Sequence, residues 1–244
     1  VKSGVLGIIR VVYFIFGAEF LKGSWVQKVF LGLALGTVFL GSMLAYLEKG
    51  LKKRLAYSTV SQVSYILFGL LLLNPAGMTG AFLHVIFHAV IKSGLFLCAG
   101  AIIFRTGKTR VDELRGIGKE MPVTIGCMTL LSLALIGIPP ASGFVSKWYL
   151  AVGSLSSETG FYSWLGPVVL LLSALLTAGH LLPITMKGFF PGEEESRKGF
   201  VRKEADSVML VPILLLAVLA VVLGMFPGGL ISLISNIAQQ LFQM

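Results

Sequence analysis

Charge is scarce in this chain. Only 13% of its residues are charged, against about 25% in soluble domains. Acid is scarcer than base, with 11 Asp and Glu against 20 Lys and Arg. The 2 cysteines, Cys98 and Cys127, both lie in apolar runs. That pattern excludes a disulfide framework and a cysteine-based metal site, and leaves buried packing. There is no glycine-rich phosphate loop, no Cys-x2-Cys pair and no nucleophile elbow. The sequence therefore offers no cofactor site, no metal site and no redox chemistry of its own. What it has in excess is apolar side chain, at 56% and a mean hydropathy of +0.90. A soluble fold of this length could not hide that much apolar surface. The solvent is lipid, and the expected fold class is an all-α membrane bundle.

A spanning helix needs roughly 20 apolar residues. Seven segments qualify in whole or part: 1–17, 29–47, 52–73, 78–104, 121–155, 161–186 and 207–225. The fifth is broken at Gly137-Ile138-Pro139-Pro140, because two prolines remove two backbone donors. The tail 228–244 is apolar and is expected at the membrane interface. The first segment carries Lys2 and Arg10 and does not read as a signal peptide. It reads as the second half of a helix, so 1–244 is expected to be one transmembrane domain truncated at its N-terminus.

The basic residues sort by loop. Fourteen fall on one side of the alternating map, in the loops 48–54, 105–120 and 187–206, and only Lys22 and Lys28 fall on the other. The positive-inside rule makes the rich side cytoplasmic. The net charge of +9 then needs no nucleic acid, since the basic residues are divided over three loops without stacking aromatics.

Four basic residues remain inside spans: Lys2, Arg10, Lys92 and Lys147. Each costs about 2.5–3.5 kcal/mol to insert, and such groups are functional candidates by default. Arg10 lies near a helix end and can snorkel. Lys92 is mid-helix, where snorkelling is poor. His84, His88 and Lys92 recur every fourth residue, which puts them on one face with steps of about 6 Å. That spacing suits proton transfer through one or two waters, with histidine able to take and give a proton near neutral pH. The next helix N-terminal to them contributes Tyr57, Ser58, Ser61, Gln62, Ser64 and Tyr65, which can hold water or cross-link helices. Lys147 follows the Pro139-Pro140 break, and broken helices with an ionisable residue mark ion paths in transporters. His180 is a single histidine on the 161–186 segment, better read as a packed core residue.

These residues carry a resemblance. The chain resembles the antiporter-like proton-translocating subunits of respiratory complex I, a family that includes the large subunits of Mrp-type cation/proton antiporters and of membrane-bound hydrogenases. The matching stretches are 1–5, Leu55-Ala56-Tyr57-Ser58-Thr59-Val60-Ser61-Gln62, His88-Ala89-Val90-Ile91-Lys92-Ser93-Gly94-Leu95-Phe96-Leu97, and Gly137 through Lys147. The resemblance implies a fourteen-helix fold of two inverted five-helix repeats, of which this chain holds the second. It implies that Lys2 is the lysine of the central polar axis, that His84, His88 and Lys92 form a relay, and that Lys147 faces the outer channel. Lys52 joins the candidate path by the same likeness, although Gly50 stands where the family usually has Asp. His180 stands where an aromatic is expected.

The resemblance further implies proton or cation translocation as a non-redox subunit of an NADH dehydrogenase-like or hydrogenase-like complex. The alternative is an Mrp-type sodium/proton antiporter subunit, and a non-conducting structural subunit is the third reading. The implied partners are other membrane subunits, protons or sodium ions, and lipid. The implied location is a prokaryotic cell membrane, crossed several times. The charge asymmetry makes a direct prediction. A cysteine replacing Lys108 should resist a membrane-impermeant thiol reagent added outside the cell and react once the membrane is opened; labelling from outside would overturn the orientation.

Overall fold

The computed structural model describes residues 2–190 and 201–243. Every named element among them is helical. The helices are α1 (Lys2–Ile9), running on as a π-helical stretch Arg10–Phe16, then α2 (Ala18–Leu21), α3 (Trp25–Leu47), α4 (Leu51–Leu71) and α5 (Pro75–Thr106). After a short 3-10 turn, Val111–Leu114, come α6 (Ile117–Glu120), α7 (Pro122–Ile136), α8 (Ser142–Leu155), α9 (Phe161–Phe189), α10 (Ser207–Met225) and α11 (Gly228–Gln243). Four of these, α3, α5, α9 and α10, are long and apolar enough to cross a membrane by length and composition. α4 has the length but carries Lys52, Lys53 and Arg54 in its first turn and a buried polar face below it.

Local chemistry sets the boundaries. Ser24 caps α3 by accepting the Gln27 amide, and Asn74 caps α5 by accepting the Gly77 amide at 2.7 Å, with Pro75 in the first turn. Ser and Asn are favoured there because their side-chain oxygens meet amides that have no helical partner. α5 stops at Gly107, whose left-handed φ of 70° lets its N–H close on Ile103 O. α7 is capped from a distance. The Glu204 carboxylate accepts from the Val123 and Thr124 amides and from the Thr124 hydroxyl. A carboxylate at a helix N-terminus also meets the positive end of the helix dipole.

α5 is the hub. It packs on α4, α7, α8, α10 and α11, and α3 packs on α4 and α9. The main core holds Leu83, Phe87, Ile91 and Leu95 of α5 with Met128 and Leu131 of α7. Small residues bring the backbones close, as is usual between membrane helices. A Cβ at Gly80 would meet the backbone of Leu150, and one at Gly153 that of Gly77.

The three basic loops meet at one end of the bundle. Leu51 N–H donates to Thr109 O at 2.9 Å, Val111 N–H to Lys49 O at 3.0 Å and Gly116 N–H to Lys187 O at 2.9 Å. Lys187 pairs with Asp112 at 2.8 Å and Arg105 with Asp206 at 3.3 Å. The Lys187 ammonium holds the Asp112 carboxyl below its usual range. Arg197 and Lys198 lie outside the described residues. At the opposite end Lys22 faces Glu158 at 3.5 Å, and the Asn74 amide donates to Gly153 O at 2.7 Å.

Between α7 and α8 the chain is irregular over five residues, 137–141. Gly137, at φ 93°, ends α7, and the Pro139-Pro140 peptide is cis. α8 then continues along α5 toward the N-terminus of that helix, with only its first turn lying close against the end of α7. A Cβ on Gly143 would overlap Ala134 O, and one on Gly224 of α10 would meet Pro140 O and the Ala141 and Ser142 backbone. Glycine at both positions lets α8 and α10 seal the break. Gly143→Ala should therefore force α8 away from α7 and cost about 1–3 kcal/mol, read as a lower melting temperature of the purified protein. Gly126→Ala, with open space around its would-be Cβ, should be neutral or stabilising. Equal melting of the two variants would refute the close approach.

Candidate functional site

The polar interior is built on two helix faces. On α5, His84, His88 and Lys92 are all buried. On α4, Ser58, Ser61, Gln62 and Tyr65 recur at helical spacing and are buried as well. α8 closes the site with Ser146 and Lys147. Aligned, they form a file. The Lys147 ammonium sits 5.3 Å from the centre of the Tyr65 ring. Tyr65 stacks on His84 with centroids 5.5 Å apart, and His84 stacks on His88 at 6.0 Å. Lys92 follows one turn further along α5.

Each charged or titratable end has its own bonding. Lys92 Nζ donates to Leu55 O at 2.8 Å and to the Ser58 hydroxyl, which itself donates to Leu55 O at 3.0 Å. Lys147 Nζ donates to Leu135 O at 2.8 Å and Ile136 O at 2.7 Å. Those two carbonyls end α7 and lack helical partners because the chain breaks after them. Their partial negative charge suits an ammonium. His84 is held on both sides, Nδ1 by Ser146 Oγ at 2.9 Å and Nε2 by Gln62 Oε1 at 3.0 Å. An amide oxygen only accepts, so Nε2 carries a proton. Neither ring nitrogen of His88 has a hydrogen-bond partner among the described residues. A buried imidazole without partners is costly and calls for water or a transient proton.

Two serines let the groups change state without breaking the site. Ser146 also reaches Gly143 O at 3.2 Å. With His84 neutral, its hydroxyl donates to Nδ1; with His84 protonated, it accepts from Nδ1 and donates to Gly143 O. Ser58 does the same for Lys92. It accepts from the ammonium while donating to Leu55 O, or turns its hydrogen toward the lone pair of a neutral amine. A hydroxyl is both donor and acceptor and rotates to suit.

The other sequence candidates divide. Lys2 is half-buried, and its charge acts on both His84 and His88. Ser61 is buried but belongs to a separate hydroxyl junction with Ser42 of α3 and Ser173 of α9. Pro139 and Pro140 are exposed and act through the break they impose. Lys52 and Tyr57 are not brought to the file. Both are exposed, because they fall off the α4 face that carries residues 54, 58, 61 and 65. Arg54 is the buried base of that turn; it donates to Glu48 O at 2.7 Å and His180 O at 2.8 Å. Ser146, Arg54 and the Glu204 cap escape sequence reading, because hydroxyls, loop arginines and distant carboxylates leave no periodic signal. A cavity of about 620 Å³ is an apolar groove between α1 and α3 whose walls include Gly4, Gly7, Phe30 and Leu33 and none of the file residues.

Residues 1–177 match the family described as NADH:quinone oxidoreductase/Mrp antiporter, TM. The chain belongs to that family. This antiporter-family chain is 38% identical over 242 residues to NADH-quinone oxidoreductase subunit N of Desulforudis audaxviator, covering 95% of itself and 47% of that protein. It is 30% identical over 250 residues to F(420)H(2) dehydrogenase subunit N of Methanosarcina mazei, covering 98% and 48%. It superposes on a chain of the Mrp complex from Dietzia sp. DQ12-45-1b with a TM-score of 0.79 and 26% identity, covering 96% of itself and 51% of that chain. The chain thus spans about half the length of the curated relatives it matches. It is an all-α, multi-pass membrane protein.

The bonding of Lys147 makes a stability prediction. Lys147→Met should strand the Leu135 and Ile136 carbonyls and cost about 1–3 kcal/mol for each unpaired group. Lys147→Gln keeps an NH2 donor and should recover most of that loss. Thermal melting of the purified protein measures both, and equal melting of Met and Gln variants would refute the cap.

Proposed function

We propose that this chain carries protons across a cell membrane as a non-redox subunit of a quinone- or hydrogenase-type respiratory complex. The single observation behind this reading is the file Lys147–Tyr65–His84–His88–Lys92. It places two amines and two imidazoles in an apolar bundle with no carboxylate paired to them among the described residues. Titratable groups in that setting cost free energy to hold, which makes them functional candidates by default. The two serines supply the bonding that both protonation states of His84 and Lys92 need, so a proton can load and unload without rebuilding the site. Kinship with subunit N of an NADH-quinone oxidoreductase and of an F(420)H(2) dehydrogenase supports the redox-driven setting. The proposed partners are other membrane subunits, and the proposed location is a prokaryotic cell membrane with the basic loops on the cytoplasmic side.

The Mrp likeness supports a second reading, exchange of sodium for protons with no redox arm. The same file would serve the proton half of that exchange. A structural subunit that conducts nothing is the reading the test must separate from both. In the full-length protein within its complex, Lys92→Ala should lower proton translocation about tenfold or more, as removal of a positioned acid–base group does. Lys147→Gln should assemble and melt normally yet fail to translocate, because an amide does not titrate. Translocation into vesicles, normalised to assembled complex, measures both. Unchanged pumping by the two variants would leave only the structural reading.

A further inference from the structure

We propose that His180 is a proton-exchanging residue that links Lys92 to the aqueous phase at the basic end of the bundle. The inference rests on the proton-carrying reading above and adds to it an exit on α9.

A cavity of about 320 Å³ opens at the end where the three basic loops meet. Its walls include Tyr46 of α3, Arg54 of α4, Asp112, and Gly179, Pro183 and Lys187 of α9. Proline has no N–H, so Pro183 leaves the carbonyl four residues back, at Gly179, without its helical donor. The floor of the cavity thus offers an acceptor to water, one residue from His180. Glycine at 179 also makes room for Tyr46, whose ring would lie 2.9 Å from a Cβ there.

His180 is fully buried and is not itself part of the cavity wall, which its α9 neighbours Gly179 and Pro183 line. Its Nδ1 meets Leu176 O at 2.9 Å. A carbonyl only accepts, so Nδ1 holds the proton, and Nε2 of the neutral ring carries a lone pair. No hydrogen-bond partner meets Nε2 among the described residues. A bare, buried proton acceptor next to a polar cavity is what a packed core histidine avoids.

The neighbours tie this ring to the file. Arg54 clamps the His180 carbonyl to the first turn of α4, and the next residue, Leu55, gives its carbonyl to Lys92. The charges acting on the ring are those of Lys92 on α5, Arg54 on α4 and Lys147 on α8. α7 carries no charged residue, and Tyr46, Lys49, Asp112 and Lys187 stand at the mouth. On α9 itself, Thr177 and Ser173 continue the face below His180, Thr177 bonding Ser173 O at 2.7 Å. In the step proposed, Nε2 takes an excess proton delivered from the aqueous phase as hydronium in the cavity, leaving water behind. The imidazolium then returns it from Nε2 to the neutral Lys92 amine across intervening water, leaving an ammonium and a neutral ring. No other atom changes hands, and the reverse sequence releases a proton.

The test uses the full-length protein in its assembled complex. His180→Phe keeps the ring volume and His180→Gln keeps a polar, hydrogen-bonding side chain, but neither titrates. Both should cut proton translocation about tenfold with normal assembly. Gln restoring full transport would show a merely structural role, and full transport by Phe would overturn the proposal outright. If Lys92→Ala also leaves transport intact, the wider reading fails instead. A second measurement covers poor assembly of those variants. With Cys98 and Cys127 replaced by Ala, a cysteine placed by His180→Cys should react with a small charged thiol reagent from the basic side only. Absence of that reaction would overturn the aqueous link.

Discussion

Two ammonium groups sit in this bundle with no acid to pair with among the described residues, and main-chain carbonyls carry the burden. An intact helix has few carbonyls to spare, since each already accepts from the amide four residues on. The chain finds them in two ways. Lys147 reaches back over the break in the helix to Leu135 O and Ile136 O, which the irregular stretch leaves unpaired. Lys92 shares Leu55 O with the hydroxyls of Ser58 and Thr59. The break, the cap on α7 and the glycines that let α8 and α10 close over it all follow from that need. In lipid an irregular backbone survives only where protein or water satisfies it.

A carboxylate beside either lysine would hold the ammonium charged. Carbonyls and hydroxyls bind it more gently and accept the neutral amine as well. That is the physical reason a lysine here can be a carrier rather than a fixed charge. Local desolvation disfavours the charged form while carbonyl dipoles favour it, and the balance decides occupancy. The serine partners extend the same logic to histidine. Ser146 bonds His84 in either protonation state because one rotation of its hydroxyl exchanges donor for acceptor.

The three basic loops show how surface charge and interior chemistry share a scaffold. Their backbone bonds to one another hold α4, α5 and α9 in register at one end. Arg54 is where the two meet. It belongs to the basic cluster by sequence, yet its side chain runs inward to the backbone of Glu48 and His180. The next residues of α4, Leu55 and Ser58, accept from Lys92 of α5, so the position of a loop arginine bears on the polar file.

Much of this was legible in the amino-acid string. Apolar composition dictates lipid as solvent, since nothing else tolerates that surface. The spacing of His84, His88 and Lys92 puts them on one face, because that depends only on the 3.6-residue turn of a single helix. The double proline breaks its helix for equally local reasons. The same arithmetic could have removed Tyr57, which is out of phase with Ser58 and Tyr65. What no single-helix rule could supply is how each helix is rotated against its neighbours. Periodicity orders residues around an axis and is silent on which neighbour they meet. That rotation, set by packing at Gly80, Gly143 and Gly153, brings Tyr65 and Gln62 of α4 and Ser146 of α8 onto one histidine of α5. It also turns Lys52 outward and Arg54 inward, and leaves His180 buried with a free nitrogen where the sequence suggested only a packed core residue.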